Sequence, residues 1–135
     1  MPLTFRPATM KDEGRLLVWR NDPRTCEMSR NMEPVKYDDH HAWLTRSLES
    51  DSRQLFICER DGQPIGTVRV DYGDGLPELS WTLAGHLRGQ GLGKRMVADF
   101  IIAQNAGNYR CEVKIENTPS LVIAKSLGLE LTVLD

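Results

Sequence analysis

The chain has 135 residues, of which 40% are hydrophobic and 27% charged, and its formal net charge is −2. That length suits one domain whose core needs no disulfides, and the charge balance excludes a protein that binds nucleic acid over its whole surface. The N-terminal MPLTFRPATM lacks an apolar run of signal-peptide length and no segment reaches the ~20 apolar residues of a membrane span, so the cytoplasm is the expected location and neither membrane nor nucleic acid is an expected partner.

Residues 3–6 (LTFR) alternate and predict a short strand that Pro7 ends. Thr9, with Asp12 three residues on, resembles a capping box, and a helix should follow in which Leu16, Leu17 and Trp19 carry most of the apolar surface. Pro23 disfavours helix at Asp22 and stops it, and residues 25–36 read as irregular. A second helix is predicted over 37–49, with Tyr37, His41, Leu44 and Leu48 on one face. The period then changes. QLFICE (54–59) and PIGTVRVD (64–71) read as strands joined at Asp61-Gly62, a hairpin signal. ELSWTL (78–83) is the next strand. It leads into LRGQGLGKRM (87–96) and a helix over about 91–104 whose apolar face carries Leu92, Met96, Val97, Phe100, Ile101 and Ala103. Asn105 and Gly107 end that helix. YRCEVKI (109–115) alternates, with Cys111, Val113 and Ile115 on one face and Glu112 and Lys114 on the other. Thr118-Pro119 opens a last helix, and LELTVL (129–134) is the final strand. The order β-α-α-β-β-β-α-β-α-β predicts a mixed α/β layer domain.

The stretch LRGQGLGKRM joins a strand to a helix and carries glycine at 89, 91 and 93. A helix start has unpaired N–H groups and partial positive charge, and glycines before it let a phosphate come close. Arg88 and Lys94 add positive charge. The physical expectation is a diphosphate seat. A Walker A loop is excluded, because Arg95 stands where Ser/Thr must hold magnesium and Arg88 stands where the first glycine must be. A dinucleotide fingerprint is excluded by the Gly-x-Gly-x-Gly spacing and by the absence of an opening β-α-β unit.

Arg88-Gly89-Gln90-Gly91-Leu92-Gly93 resembles the Arg/Gln-x-x-Gly-x-Gly/Ala signature of the GNAT N-acetyltransferases. Asn117-Thr118-Pro119-Ser120 and Leu127-Gly128-Leu129 are similar to that family's Asn-x-x-Ser … Leu-Gly-Phe segment. The resemblance covers about residues 3–134 and is strongest over 78–129. It implies a splayed central sheet with helices on both faces, an acceptor-side half over about 1–53 and an acetyl-CoA-binding half over about 54–135. It implies acetyl-CoA as co-substrate. The loop residues 88–94 would meet the pyrophosphate, the backbone of Trp81, Thr82 and Leu83 the pantetheine arm, and Asn117 and Ser120 the cofactor from the next strand end. A backbone N–H near Leu83 would polarise the thioester carbonyl.

Acetyl transfer needs a neutral amine, so a carboxylate should take its proton. Two positions match bases used in different branches of the family. Glu112 lies five residues before Asn117, and Glu78 starts the strand before the glycine loop. A solvated strand face would equally explain either. Ala124 stands where the family often has a Tyr that protonates the CoA thiolate. Relatives usually add a strand after the last one here, so that edge is expected to be open or covered by a partner chain, a homodimer being one arrangement.

The N-terminal half carries Trp19-Arg20-Asn21-Asp22-Pro23, Ser29, His40 and Trp43, and is most similar to the branch acetylating nucleotide-linked amino sugars, as in pseudaminic-type acid synthesis. In that reading the partner is a small-molecule amine, with Trp19 and Trp43 on a base or sugar and Arg20 on phosphate. Both tryptophans also suit the core between two helices. The alternatives are a ribosomal-protein-type N-terminal acetyltransferase and a non-catalytic acyl-CoA-binding domain. No metal is expected: neighbouring residues of Asp38-Asp39-His40-His41 point about 100° apart on a helix and cannot converge on one ion. Cys26, Cys58 and Cys111 form no Cys-x-x-Cys pair, and no histidine is placed by sequence to activate Cys111.

Overall fold

Two periodicities sort the chain into a sheet and the helices that cover it. In the computed structural model, which describes residues 2–135, six strands lie side by side in chain order. They are β1 (Leu3–Pro7), β2 (Arg53–Arg60), β3 (Gln63–Asp71), β4 (Glu78–Leu83), β5 (Arg110–Lys114) and β6 (Glu130–Leu134). Neighbours are antiparallel from β1 to β4 and parallel from β4 to β6. The β2–β3 hairpin turns at Asp61 and Gly62, with φ of 53° and 78°, the positive pair that a type I′ turn requires.

Helix α1 (Glu13–Asn21) is entered through a 3₁₀ turn at Met10–Asp12, and α2 (Pro23–Met28) and α3 (Tyr37–Glu49) follow. α4 (Leu92–Gln104) joins β4 to β5, and α5 (Thr118–Ser126) joins β5 to β6. Strand alternation sends side chains to two faces. On one face, Met96, Val97 and Phe100 of α4 and Ile123 and Ala124 of α5 pack with Cys58, Val68, Leu79, Cys111 and Val113. On the other, Leu16 and Trp19 of α1 and Leu44 of α3 pack with Leu55, Ile57 and Ala84. The mixed α/β sheet with helices on both faces is the predicted class.

The order gains one helix, α2. Pro23 does stop α1, but it also sits in the first turn of α2, where its missing N–H costs nothing. Asp22 caps that helix, its Oδ1 accepting from the N–H groups of Arg24 (3.1 Å) and Thr25 (3.4 Å). The buried stripe of α3 also differs from the predicted one. It is His40, Leu44 and Ser47, while Tyr37 and His41 are exposed and both meet Glu13 of α1, at 2.9 and 2.5 Å. Ile115 does not share the buried face of Cys111 and Val113, because β5 ends at Lys114 and Ile115 is exposed.

Asp12 fixes the junction between β1 and α1. Its carboxylate is buried and completes the Thr9 capping box, accepting from the Thr9 N–H at 2.9 Å. It also accepts from Arg6 at 2.8 and 2.9 Å and from Arg15. Chiefly through the Arg6 bonds, its pKa is held at about 2 against an ordinary 3.8. A depressed carboxylate stabilises the fold fully above its unfolded pKa and loses that contribution as pH falls through its folded one. Asp12→Asn is therefore expected to cost about 2 kcal/mol at neutral pH. It should also flatten the loss of stability between pH 3.8 and about 2, read by urea unfolding across that window. An unchanged acid slope in the variant would assign it to other carboxylates.

Candidate active site

β4 and β5 are joined at one end. Glu78 and Arg110 pair in register, the Arg110 N–H donates to the Pro77 carbonyl at 2.9 Å, and the two side chains form an ion pair at 3.4 Å. No further ladder pair links the two strands, and they part toward their C-terminal ends. Parting leaves main-chain groups without strand partners and opens a crevice beyond the strand ends, where ligands bind in sheets of this kind. The crevice measures about 810 Å³, and the starts of both α4 and α5 lie along it.

The glycine stretch forms its rim. Gly89 and Gly91 have φ of 80° and 76°, a left-handed backbone that strains any residue with a Cβ. A Cβ at either would meet nothing within 4 Å, so the space over both is open. Gly91 is the N-cap of α4, and no side chain caps that end. The first N–H groups of α4 and the helix dipole are thus left for an anion. Gly93 faces α5, where a Cβ would make ordinary van der Waals contact at 3.4 Å from Ile123 Cδ1.

The crevice gathers nearly all the residues singled out from sequence. Glu78, Trp81, Thr82 and Leu83 of β4, Arg88, Gly89, Gly91, Leu92, Gly93 and Lys94 of the loop and α4, Glu112 of β5, and Asn117 and Ser120 at the start of α5 all line it. Gln90 is exposed and is not part of the wall. Asn117 caps α5, its Oδ1 accepting from the Ser120 N–H at 3.3 Å, which leaves its amide nitrogen for a ligand. Glu78 alternates with buried Leu79, and Glu112 with buried Cys111 and Val113, so both carboxylates fall on the face away from α4 and α5. Glu78 meets Arg110, and Glu112 meets Arg30.

Arg30 belongs to a cover that the sequence reading missed. Arg88 pairs with Asp22 at 2.8 Å and donates to Thr25 Oγ1 at 2.9 Å, tying the glycine loop to α2. Lys114 of β5 donates to the Glu27 carbonyl at 3.0 Å. The Arg88 bond holds the Asp22 carboxyl below the usual carboxylate range. Gly85 makes room for this pair, since a Cβ there would stand 2.5 Å from Asp22 Oδ2. Asp22-Pro23 was the available signal: a cap residue followed by proline starts a helix as readily as it follows one.

A second cavity of about 380 Å³ lies on the α1 and α3 side, and Trp19, His40 and Trp43 line it. It shares Arg20, Arg69, Ser80, Trp81 and Thr82 with the crevice. Trp19 is also core, so one ring serves both helix packing and the cavity wall. Burial pushes the thiols of Cys58 and Cys111 up to about 12 and about 11, which removes them as thiolate nucleophiles. Among the described residues no group of three or more His, Cys, Asp or Glu is placed to hold a metal ion, and no helix is long and apolar enough to cross a membrane.

The acetyltransferase (GNAT) domain family matches residues 2–130. The chain belongs to that family. Solved structures agree in fold. AAC(6')-Ib in complex with ribostamycin and coenzyme A superposes with a TM-score of 0.80 at 20% identity, over 93% of this chain and 81% of that one. A ribosomal-protein-alanine N-acetyltransferase from Brucella melitensis gives 0.71 at 24% identity, over 93% and 83%. A domain from Methanocaldococcus jannaschii DSM 2661 gives 0.77 at 20%, over 93% and 86%. No curated protein shows significant sequence similarity to the chain.

The co-substrate of a GNAT acetyltransferase is acetyl-CoA, and the crevice suits it. An uncapped helix start, open space over two left-handed glycines and the cations Arg88 and Lys94 meet at one rim. Gly91→Glu puts bulk and negative charge there. Acetyl-CoA affinity, measured by calorimetry on the folded variant, is expected to fall at least about tenfold, or roughly 1.4 kcal/mol. Wild-type affinity would show that the diphosphate sits elsewhere.

Proposed function

We propose that this enzyme transfers acetyl from acetyl-CoA directly to a primary amine of a small molecule, a nucleotide-linked amino sugar or one of similar build, with no covalent enzyme intermediate. The observation that carries the proposal is the meeting of two cavities at one strand. The crevice between β4 and β5 and the smaller cavity by α1 and α3 share a wall of Ser80, Trp81 and Thr82. A cofactor arm along β4 and an acceptor in the smaller cavity come together at that wall. Small-molecule sites span ~300–1,000 Å³, and the smaller cavity falls in that range at about 380 Å³, which favours a compact acceptor over a peptide. Trp19 and Trp43 line that cavity as aromatic surface for a base or sugar, and Arg20, which also donates to the Asn31 carbonyl at 2.7 Å, is the cation for a phosphate. In this reading residues 1–53 build most of the acceptor side and 54–135 the cofactor side.

The chemistry divides among a few groups. Arg88, Lys94 and the N–H groups at the start of α4 hold the diphosphate, and Asn117 and Ser120 bound it from α5. A main-chain N–H near Leu83 stabilises charge on the carbonyl oxygen, a contribution of ~3–4 kcal/mol for one such donor. An alkylammonium must lose a proton before its nitrogen can attack. Glu112 or Glu78 takes that proton, directly or through water. The amine nitrogen bonds to the carbonyl carbon, the carbon–sulfur bond breaks, and the sulfur leaves with the electron pair. Ala124 is fully buried, so α5 presents no acid at that position, and the thiolate leaves as the anion or takes a proton from water.

Single-turnover acetylation of the Gln variants tests the base. Glu112→Gln or Glu78→Gln is expected to slow the step by about 100-fold or more, with acetyl-CoA affinity retained. Wild-type rates in both variants would remove both carboxylates from the mechanism. CoA release with UDP-amino sugars, aminoglycosides and N-terminal peptides tests the acceptor class. Release with peptides alone would transfer the assignment to N-terminal acetylation, and acetyl-CoA binding with no release would favour a binding domain.

A further inference from the structure

We propose that His40 is an acceptor-binding residue whose Nε2–H donates a hydrogen bond to an oxygen of the acceptor in the cavity beside Trp43. The inference rests on the reading of that cavity as the acceptor site.

His40 closes the first turn of α3 and is 3% exposed. Its ring lies against Trp43, with centroids 5.5 Å apart, and forms part of the cavity wall. Nδ1 is buried and has no hydrogen-bond partner among the described residues. Buried polar atoms are nearly always paired, and leaving one unpaired costs ~1–3 kcal/mol. Packing beside Trp43 does not require that cost, because a phenylalanine would supply a ring there without a nitrogen.

The covered nitrogen also decides what the ring offers. An unpaired lone pair is tolerated better than an unpaired N–H. Nδ1 therefore keeps the lone pair, and Nε2 carries the proton and is the nitrogen left for the cavity. Burial opposes a second proton and holds the pKa of His40 below its ordinary value. Arg20 of α1 and His41 of its own helix act in the same direction, and Glu13 of α1 acts against it. Asp39 of α3 and Arg69 of β3 share the cavity wall. The ring is thus a neutral imidazole with one donor, set beside Trp43 in a cavity that Trp19 also lines. Such a donor recognises a carbonyl, hydroxyl or phosphate oxygen on a ligand whose neighbouring surface stacks on the two indoles.

Three substitutions separate recognition from packing. His40→Phe keeps the ring and removes both nitrogens. The amide nitrogen of Gln in His40→Gln lies near the place of Nε2, and that of Asn in His40→Asn near the place of Nδ1. The measurements are the Tm of the free protein, acetyl-CoA affinity, and acceptor kinetics with UDP-glucosamine, kanamycin and an N-terminal alanyl peptide as probes. His40→Phe is expected to keep or raise Tm, keep acetyl-CoA affinity, and raise the KM of the acceptor used best by about tenfold. His40→Gln should recover most of that loss, and His40→Asn should not. A wild-type acceptor KM in His40→Phe overturns the assignment, as does a lowered Tm with equal losses for acceptor and acetyl-CoA. Recovery by Asn rather than Gln also overturns it. If the wild type binds acetyl-CoA yet acetylates none of the three probes, the acceptor-site reading fails, and this assignment with it.

Discussion

The site depends on one interrupted ladder. β4 and β5 are held together where Glu78 meets Arg110, and nowhere further along. Breaking a sheet in the middle forfeits main-chain hydrogen bonds and would ordinarily split the core as well. Here the core passes beneath the break. Phe100 and Met96 of α4 lie under the antiparallel half, Ile123 and Ala124 of α5 under the parallel half, and both sets belong to one buried cluster. The sheet can therefore open on one face because the other is bridged.

Opening the sheet also sets its electrostatics. The parted strands are followed by two helices whose N-terminal ends meet the same crevice, and no acidic residue lies in the first turn of either. A net charge of −2 for the whole chain thus coexists with a crevice that two helix N-termini make locally positive. The carboxylates near the crevice, Glu78 and Glu112, sit across the sheet from α4 and α5, and each has an arginine beside it.

Much of this arrangement is legible in the sequence, because the signals are local. Gly89 and Gly91 report their own backbone, the alternation around Leu79 and Cys111 reports which side chains turn inward, and Asp61-Gly62 reports its turn. What is not legible depends on distant partners. Two adjacent stripes of α3 each carry an aromatic ring, and the one turned outward meets Glu13, 24 residues before Tyr37 and 28 before His41. Pro23 reads as a stop, yet whether a helix restarts behind it depends on what the helix can lie against, here Arg88 and Lys114. The parting of β4 from β5 leaves no mark in the alternation of either strand and is expected through the family resemblance alone. The orphaned nitrogen of His40 becomes visible once the neighbours that fail to reach it are known.

Asp22 has a consequence for how the two halves of the chain communicate. One carboxylate oxygen accepts from the N–H groups that begin α2 and also holds the Arg88 guanidinium. The cap of α2 and the first cation of the glycine loop therefore draw on the same negative charge. Anything that competes for Arg88 changes the hold on α2, and anything that shifts α2 changes the availability of Arg88. Such exchange is symmetric by thermodynamic necessity. The Asp22 carboxylate is thus a node one side chain wide, through which α2 and the glycine loop are tied to each other.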